Sequence, residues 1–235
     1  MIDVFFTTYL RQKFTEECLD YLRDRTTTPH RVIIIDNGGN EFTQDRPDVF
    51  MRVGLSQNIG IHAAWNLALS MAESEYFVTS DPDLLVPKLE DDWLSRMIKF
   101  MDERPDYGAI SMMPHIFIGA VGIDPSDPED VKERNMCGAV FRIMRTEAVR
   151  KVGGWEHKME AGRNHEESTI CSRLQAAGYK TGICSRVRAY HNFGENWGYP
   201  PEFTPEMQKH NPALKDYVLS FDNRNAYNQD TWMPL

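Results

Sequence analysis

Arg31-Val32-Ile33-Ile34-Ile35-Asp36 is the stretch on which the reading of this chain turns. Four consecutive β-branched residues run into the turn-forming Asn37-Gly38-Gly39-Asn40. Such a run reads as a strand apolar on both faces, which belongs inside a sheet covered by helices on each side. Working outward, Ile2 to Thr8 reads as a second apolar strand, ending in Thr7-Thr8-Tyr9. Between the two, Phe14, Cys18 and Leu22 fall four apart on one helical face, and Thr26-Thr27-Thr28-Pro29 stops that helix. Downstream, a weaker strand covers Val49 to Leu55. Asn58-Ile59-Gly60 then opens a helix striped with Ile61, Trp65 and Leu69, and the strand Glu75 to Thr79 ends at Asp81-Pro82-Asp83. Strands alternating with helices imply parallel pairing and crossover helices. Ligands of such sheets sit beyond the carboxyl ends of the strands, where Asp36 and Asp81-Pro82-Asp83 both stand.

The second half changes character. Trp93, Met97, Phe100 and Met101 mark a helix closed by Arg104-Pro105, and Tyr107 to Met112 reads as a strand. Asp124 to Arg134 reads as a polar loop, Gly138 to Met144 as a strand, and Thr146 as the cap of a short helix ending at Gly153-Gly154. A helix from Glu166 carries Ile170, Cys171 and Leu174 and closes at Gly178; two short strands, Thr181 to Cys184 and Val187 to His191, follow. Residues 195–235 form a tail rich in proline, asparagine and aromatics, read as disordered or as a lid.

Composition removes several classes. At 235 residues the chain is long enough for a single domain with a full core. With 26 Lys and Arg against 35 Asp and Glu, its net charge of −9 argues against broad nucleic-acid binding. The four cysteines form no C-x-x-C pair, which argues against a disulfide scaffold or zinc knuckle and for free thiols in a reducing compartment. The start lacks the basic segment of a secretory leader, and the longest nearly uncharged stretch is too short and interrupted to cross a bilayer. A soluble, cytoplasmic protein without a transmembrane segment is expected.

Several residues carry chemistry. Asp81 and Asp83, one residue apart at a strand end, can share a hard divalent cation through oxygen ligands, although Asp-Pro-Asp is equally good turn chemistry. His191 can complete such a site or serve as a buried histidine bonded to a carbonyl. Glu166 and Glu167 begin a helix, where carboxylates suit the macrodipole; either could also act as a general base. Thr7, Thr8, Tyr9 and Asp36 end strands at the same edge, where Asp36 could accept a hydrogen bond from a base. Trp155, after Gly154, is either an aromatic face open to a ligand or a core side chain.

Taken in order, these pieces resemble family 2 glycosyltransferases of the GT-A fold, over residues 3–194. Val32 to Gly39 is similar to the family's apolar strand ending in Asp-Asn-Gly-Ser, with Gly39 and Asn40 departing from the usual pattern. Asn58 to Asn66 resembles its N-x-G…A…N helix start, and Tyr76 to Asp83 the strand that delivers D-x-D. Gly138 to Trp155 is similar to its G…R…G-G-[FW] block, and Glu166 to Tyr179 to its E-D-x-D-L-x-x-R-L…G-Y helix. The histidine after the following strand matches too. In that helix the usual E-D-x-D is Glu166-Glu167-Ser168-Thr169, with glutamate in place of the base and the second aspartate lost.

The resemblance implies an α/β, GT-A fold: a Rossmann-like, mixed, mostly parallel sheet flanked by helices in a single domain. It would comprise a nucleotide-sugar half (1–113) and an acceptor half (114–194), followed by the tail (195–235). It implies a metal-dependent inverting transfer from a nucleoside-diphosphate sugar. Donor contacts would come from Thr7, Thr8, Tyr9, Asp36, Asn58, Asn66, Asp81 and Asp83. Mn²⁺ or Mg²⁺ would be held by Asp81, Asp83 and His191. Glu167 or Glu166 would be the base, and Gly154 and Trp155 would border a glycan, lipid-linked or protein acceptor. Arg173 stands where the family has its helix arginine. Two other readings stay open: another nucleotide-sugar-dependent enzyme, and a non-catalytic sugar-nucleotide binding module on the same fold.

Overall fold

A computed structural model describes residues 1–39, 46–114, 130–156 and 166–191. The expected tail, 195–235, and most of the expected polar loop lie outside these residues, as do the side chains of Glu166 and His191.

The first strands alternate with helices as the apolar runs require: β1 (Ile2–Thr8), α1 (Gln12–Arg25), β2 (His30–Asp36), β3 (Met51–Gly54), α2 (Ile61–Met71) and β4 (Tyr76–Ser80). The rest of the described chain is β5 (Leu84–Leu85), α3 (Trp93–Glu103), β6 (Tyr107–Pro114), β7 (Val131–Glu133), β8 (Arg142–Arg145), α4 (Thr146–Lys151), α5 (Glu166–Ala176) and β9 (Lys180–His191). One mixed sheet runs β3-β2-β1-β4-β8-β6-β9-β5, with β7 beside β9. Around β1 the pairing is parallel, with Thr8 opposite Asp36 and Phe6 opposite Ser80. β8 enters antiparallel to both β4 and β6, which joins the second half to the first.

Side chains alternate across the sheet and divide the core in two. Val4, Phe6, Val32, Ile34 and Val78 pack with Cys18, Leu19 and Leu22 of α1 and with Trp93, Met97 and Met101 of α3. Phe5, Ile33, Ile35 and Phe77 face the other way, with Ala64, Trp65 and Ala68 of α2, Val149 of α4 and Ile170, Cys171 and Leu174 of α5. This is the helix-covered α/β sheet expected from the alternating pattern.

Three local expectations change. The two short strands near the end are one, β9, whose register against β6 shifts between Ser111 and Met113, so the apolar gap at Ser185-Arg186 is a bulge rather than a break. The strand expected from Gly138 begins only at Arg142, because Phe141 lies in the left-handed region at φ 43°. That turn drives the Phe141 ring into the core against Phe6 and Trp93. Part of the expected polar loop is also a strand: β7 pairs antiparallel with β9, Val131 opposite Cys184.

Candidate active site

The carboxyl ends of β1 and β2 meet in a braced corner. Asp36 is buried, and its Oδ1 accepts the N–H of Gly39 at 2.8 Å. Asn37 Oδ1 accepts the N–H of Ile59 at 2.9 Å, and its amide donates to Asn58 Oδ1 at 3.0 Å. Asn58 Oδ1 also takes the N–H of Gly60 at 2.8 Å. The two loops abut so closely that a Cβ at Gly38, where φ is +94°, would lie 2.4 Å from the Gln57 carbonyl carbon. Asn58 is therefore a brace between β2 and the start of α2. Thr7 is buried and Tyr9 half-buried. Thr8 is wholly buried, its hydroxyl 3.0 Å from that of Thr15 in α1. The expected contact of Thr8 with a base gives way to a role in fixing the β1–α1 corner.

The D-x-D motif sits where β4 hands over to β5. Asp81 is half-buried and Asp83 is 3% exposed. Arg11, just before α1, reaches across the sheet edge and places Nη1 2.6 Å from Asp83 Oδ2. The β5–β9 ladder sets His191 opposite Leu84, so the histidine's backbone is one residue along from Asp83's register position. Two carboxylates thus share one turn, with the backbone of His191 beside it on the paired strand, and carboxylate oxygens suit Mn²⁺ or Mg²⁺. The Asp81 and Asp83 carboxylates are oxygen donors of the kind a hard cation takes, and a cation bound at Asp83 would compete with the Arg11 guanidinium for it. Among the described residues no three His, Cys, Asp or Glu side chains gather at ligating distance.

Ala139 connects this motif to the candidate base. Its carbonyl accepts the Asp81 N–H at 3.1 Å, and its own N–H donates to Glu167 Oε1 at 3.0 Å. Glu167 is half-buried in the first turn of α5, while the backbone of Glu166 begins that helix. Gly138 makes room: a Cβ there would stand 3.2 Å from Glu167 Oε1. One turn further along α5, the Cys171 and Cys137 thiols lie 3.5 Å apart, both buried. The Cys137 thiol and the Arg142 guanidinium hold Cys171 below its ordinary range, and Cys137 is pushed up in return.

Two expectations, one at the acceptor side and one at the donor side, are corrected. Trp155 is wholly buried, 5.5 Å from the Trp65 ring, with the Arg142 guanidinium over both indoles. Its ring belongs to the core and is not open for stacking on a sugar. Asn66, expected at the donor, uses its amide on the backbone of Trp155: Nδ2 donates to the carbonyl and Oδ1 accepts the N–H, each at 2.9 Å. Gly154 is needed for this clamp, since at φ +67° its Cβ would fall 2.3 Å from Asn66 Oδ1. Arg173 secures the segment from α5 by donating to the Gly154 carbonyl at 2.6 Å.

Sequence reasoning missed Arg11, Asn37 and Ala139. Arg11 and Asp83 are 72 residues apart and Ala139 acts through its backbone, so neither leaves a local signal. Asn37, inside an Asn-Gly turn, did carry one.

A mixed α/β sheet with D-x-D at a strand end and a carboxylate linked to it through Ala139 is the arrangement of a GT-A glycosyltransferase fold. Residues 3–157 match Glycosyl transferase family 2, and the chain belongs to that family. Its fold is similar to that of a mannosyltransferase from Pyrobaculum calidifontis, described in complex with GDP-Man and Mn²⁺. The two are 20% identical with a TM-score of 0.66, over 87% of this chain and 67% of that one. It is also similar to S. aureus TarS 1–349 in complex with UDP-GlcNAc, 18% identical with a TM-score of 0.64, over 98% of this chain and 74% of that one. An uncharacterized protein of Mycobacterium tuberculosis, Rv1520, is 29% identical over 112 residues, 42% of this chain. The match spans about a third of that relative's length, 30%. No helix among the described residues is long and apolar enough to cross a membrane.

Proposed function

We propose that the chain transfers a sugar from a nucleoside-diphosphate sugar to an acceptor hydroxyl, with inversion at the anomeric carbon and dependence on a divalent cation. One observation supports the reading: the backbone of Ala139 accepts from the Asp81 N–H and donates to Glu167 Oε1, so a single residue links the D-x-D turn to the α5 carboxylate. Asp36 and the corner it braces bind the nucleoside. Asp81 and Asp83, with His191 on the paired strand, would hold the cation, which when bound supplies positive charge to the departing diphosphate. Glu167 takes the proton of the attacking hydroxyl, its carboxylate oriented by the Ala139 N–H. Because base and leaving group flank the anomeric carbon, a single displacement inverts it. Support for this donor class comes from the two similar folds described with GDP-Man and UDP-GlcNAc.

The test incubates the protein with a panel of nucleotide sugars and simple acceptors, with and without Mn²⁺. Release of nucleoside diphosphate and the anomeric configuration of the product are both read by NMR. Mn²⁺-dependent release that disappears in Asp83→Asn, with an inverted product, is the expected result. A retained configuration overturns the mechanism. Binding of a nucleotide sugar with no turnover under any condition favours the binding-module reading.

A further inference from the structure

Arg11 lies outside the motifs quoted above, yet its guanidinium contacts the second carboxylate of D-x-D, 2.6 Å from Asp83 Oδ2. The backbone is shaped to deliver it. Leu10, immediately before it, is a non-glycine residue in the left-handed region at φ 56°, a conformation that persists only where the surroundings impose it. The Arg11 carbonyl then accepts both the N–H and the hydroxyl of Thr15, at 3.0 and 3.1 Å. The Thr15 hydroxyl meets that of Thr8 on β1. With its main chain pinned, Arg11 extends over the sheet edge to Asp83, and the two side chains are only 11% and 3% exposed.

A guanidinium in that position neutralises Asp83 while the site is empty. A divalent cation arriving alone would face a fixed positive charge on one of its two carboxylate ligands, in surroundings where such repulsion is poorly screened. A cation arriving with a diphosphate would not, because the diphosphate offers the guanidinium another anionic partner in the same cleft. We propose that Arg11 makes cation binding conditional on the donor: it occupies Asp83 in the empty enzyme and passes to the diphosphate when nucleotide and cation enter together. Nucleotide and cation then raise each other's affinity by the same factor, and part of that factor is the Arg11 exchange. This rests on the metal-site reading of Asp81 and Asp83.

The experiment measures Mn²⁺ binding to the full chain by electron paramagnetic resonance of the free ion, first alone and then with UDP or GDP. It compares wild type, Arg11→Gln, Arg11→Lys and Asp83→Asn, each shown to be folded by its melting curve. Arg11→Gln is expected to bind Mn²⁺ alone about tenfold more tightly, and Mn²⁺-nucleotide about tenfold more weakly, the scale of one charge-assisted contact. Arg11→Lys keeps the charge, so weak binding of Mn²⁺ alone persists; it also serves should Arg11→Gln fold poorly. A merely structural Arg11 predicts the opposite sign, since loss of the guanidinium would leave Asp83 misplaced and weaken Mn²⁺ alone. Mn²⁺ binding that requires Asp83 but is unchanged or weakened in Arg11→Gln overturns this inference and leaves the metal site standing. Mn²⁺ binding that is absent in wild type even with UDP or GDP present, or that is indifferent to Asp83→Asn, removes the metal site and the inference with it.

Discussion

Glu167, the proposed base, is positioned by the backbone of Ala139. Its carboxylate accepts one backbone N–H, which orients the other oxygen, the one that takes the substrate proton in the proposed mechanism. Glu167→Gln preserves that bond through the amide oxygen and removes only the base. Transfer is expected to fall about 10²–10⁴-fold, the usual contribution of general-base catalysis, with the melting temperature unchanged. Activity surviving in Glu167→Gln but lost in Glu166→Gln would assign the base to the neighbouring carboxylate. Asn66 makes the contrasting case. Both of its polar groups bond to the Trp155 backbone, so Asn66→Ala strands a buried donor and acceptor. It should cost about 2–4 kcal/mol in urea unfolding while the nucleotide dissociation constant stays put. A weakened nucleotide with unaltered stability would restore Asn66 to the donor site.

At the scale of elements, α3 depends on a residue whose meaning is not local. Asp92 caps it, its Oδ1 accepting the N–H groups of Leu94 and Ser95. Its Oδ2 meanwhile collects the N–H and hydroxyl groups of Thr27 and Thr28, at 2.7–2.9 Å, from the loop after α1. Burial alone would push the Asp92 carboxyl up, but these bonds outweigh it and hold the group below its usual range. A folded value below the unfolded one gives stability that is complete above the ordinary carboxylate range, about pH 4, and fades as pH falls through the folded value. Asp92→Asn should therefore cost about 1.5–3 kcal/mol at pH 7, and the gap from wild type should close in acid. A gap independent of pH would mean that the charge contributes nothing. The same residue marks what was legible in the sequence. Apolar spacing shows that a helix covers Trp93 to Met101, since burial imposes its period on the chain. That Asp92 also ties down a loop 65 residues earlier has no period to announce it. The site divides the same way: Asp36, Asp81 and Asp83 stand out because strand ends are visible, whereas Trp155 was ambiguous because a core indole and a stacking indole look alike in sequence.

The whole molecule separates chemistry from anchorage along the strand axis. At the carboxyl ends of β1, β2 and β4 lie the braced Asp36 corner and the D-x-D turn; at the amino ends lies a different ionic cluster. Asp3, wholly buried near the start of β1, accepts from the Arg31 guanidinium on β2 at 2.6–2.7 Å and from the Glu73 N–H before β4 at 2.9 Å. It thereby ties β1 to β2 and to the segment before β4 at the end remote from the D-x-D turn, about 17 Å from the carboxyl end of β1 at ~3.3 Å per strand residue. Removing Asp3 leaves Arg31, itself partly exposed, with Glu73 at 3.0 Å, but strands the Glu73 N–H and the buried face of the guanidinium, a loss of about 2–4 kcal/mol. Asp3→Ala should lower the melting temperature by roughly 10 °C for a chain of this size. At a temperature where the variant is folded, its kcat and KM should match wild type, because the carboxyl ends are held by their own bonds: Thr8 to Thr15, Asn37 to Asn58, Asp81 to Ala139. Parallel loss of stability and of kcat in the folded variant would instead mean that the sheet transmits strain end to end, and that the site's geometry is a property of the entire sheet rather than of its edge.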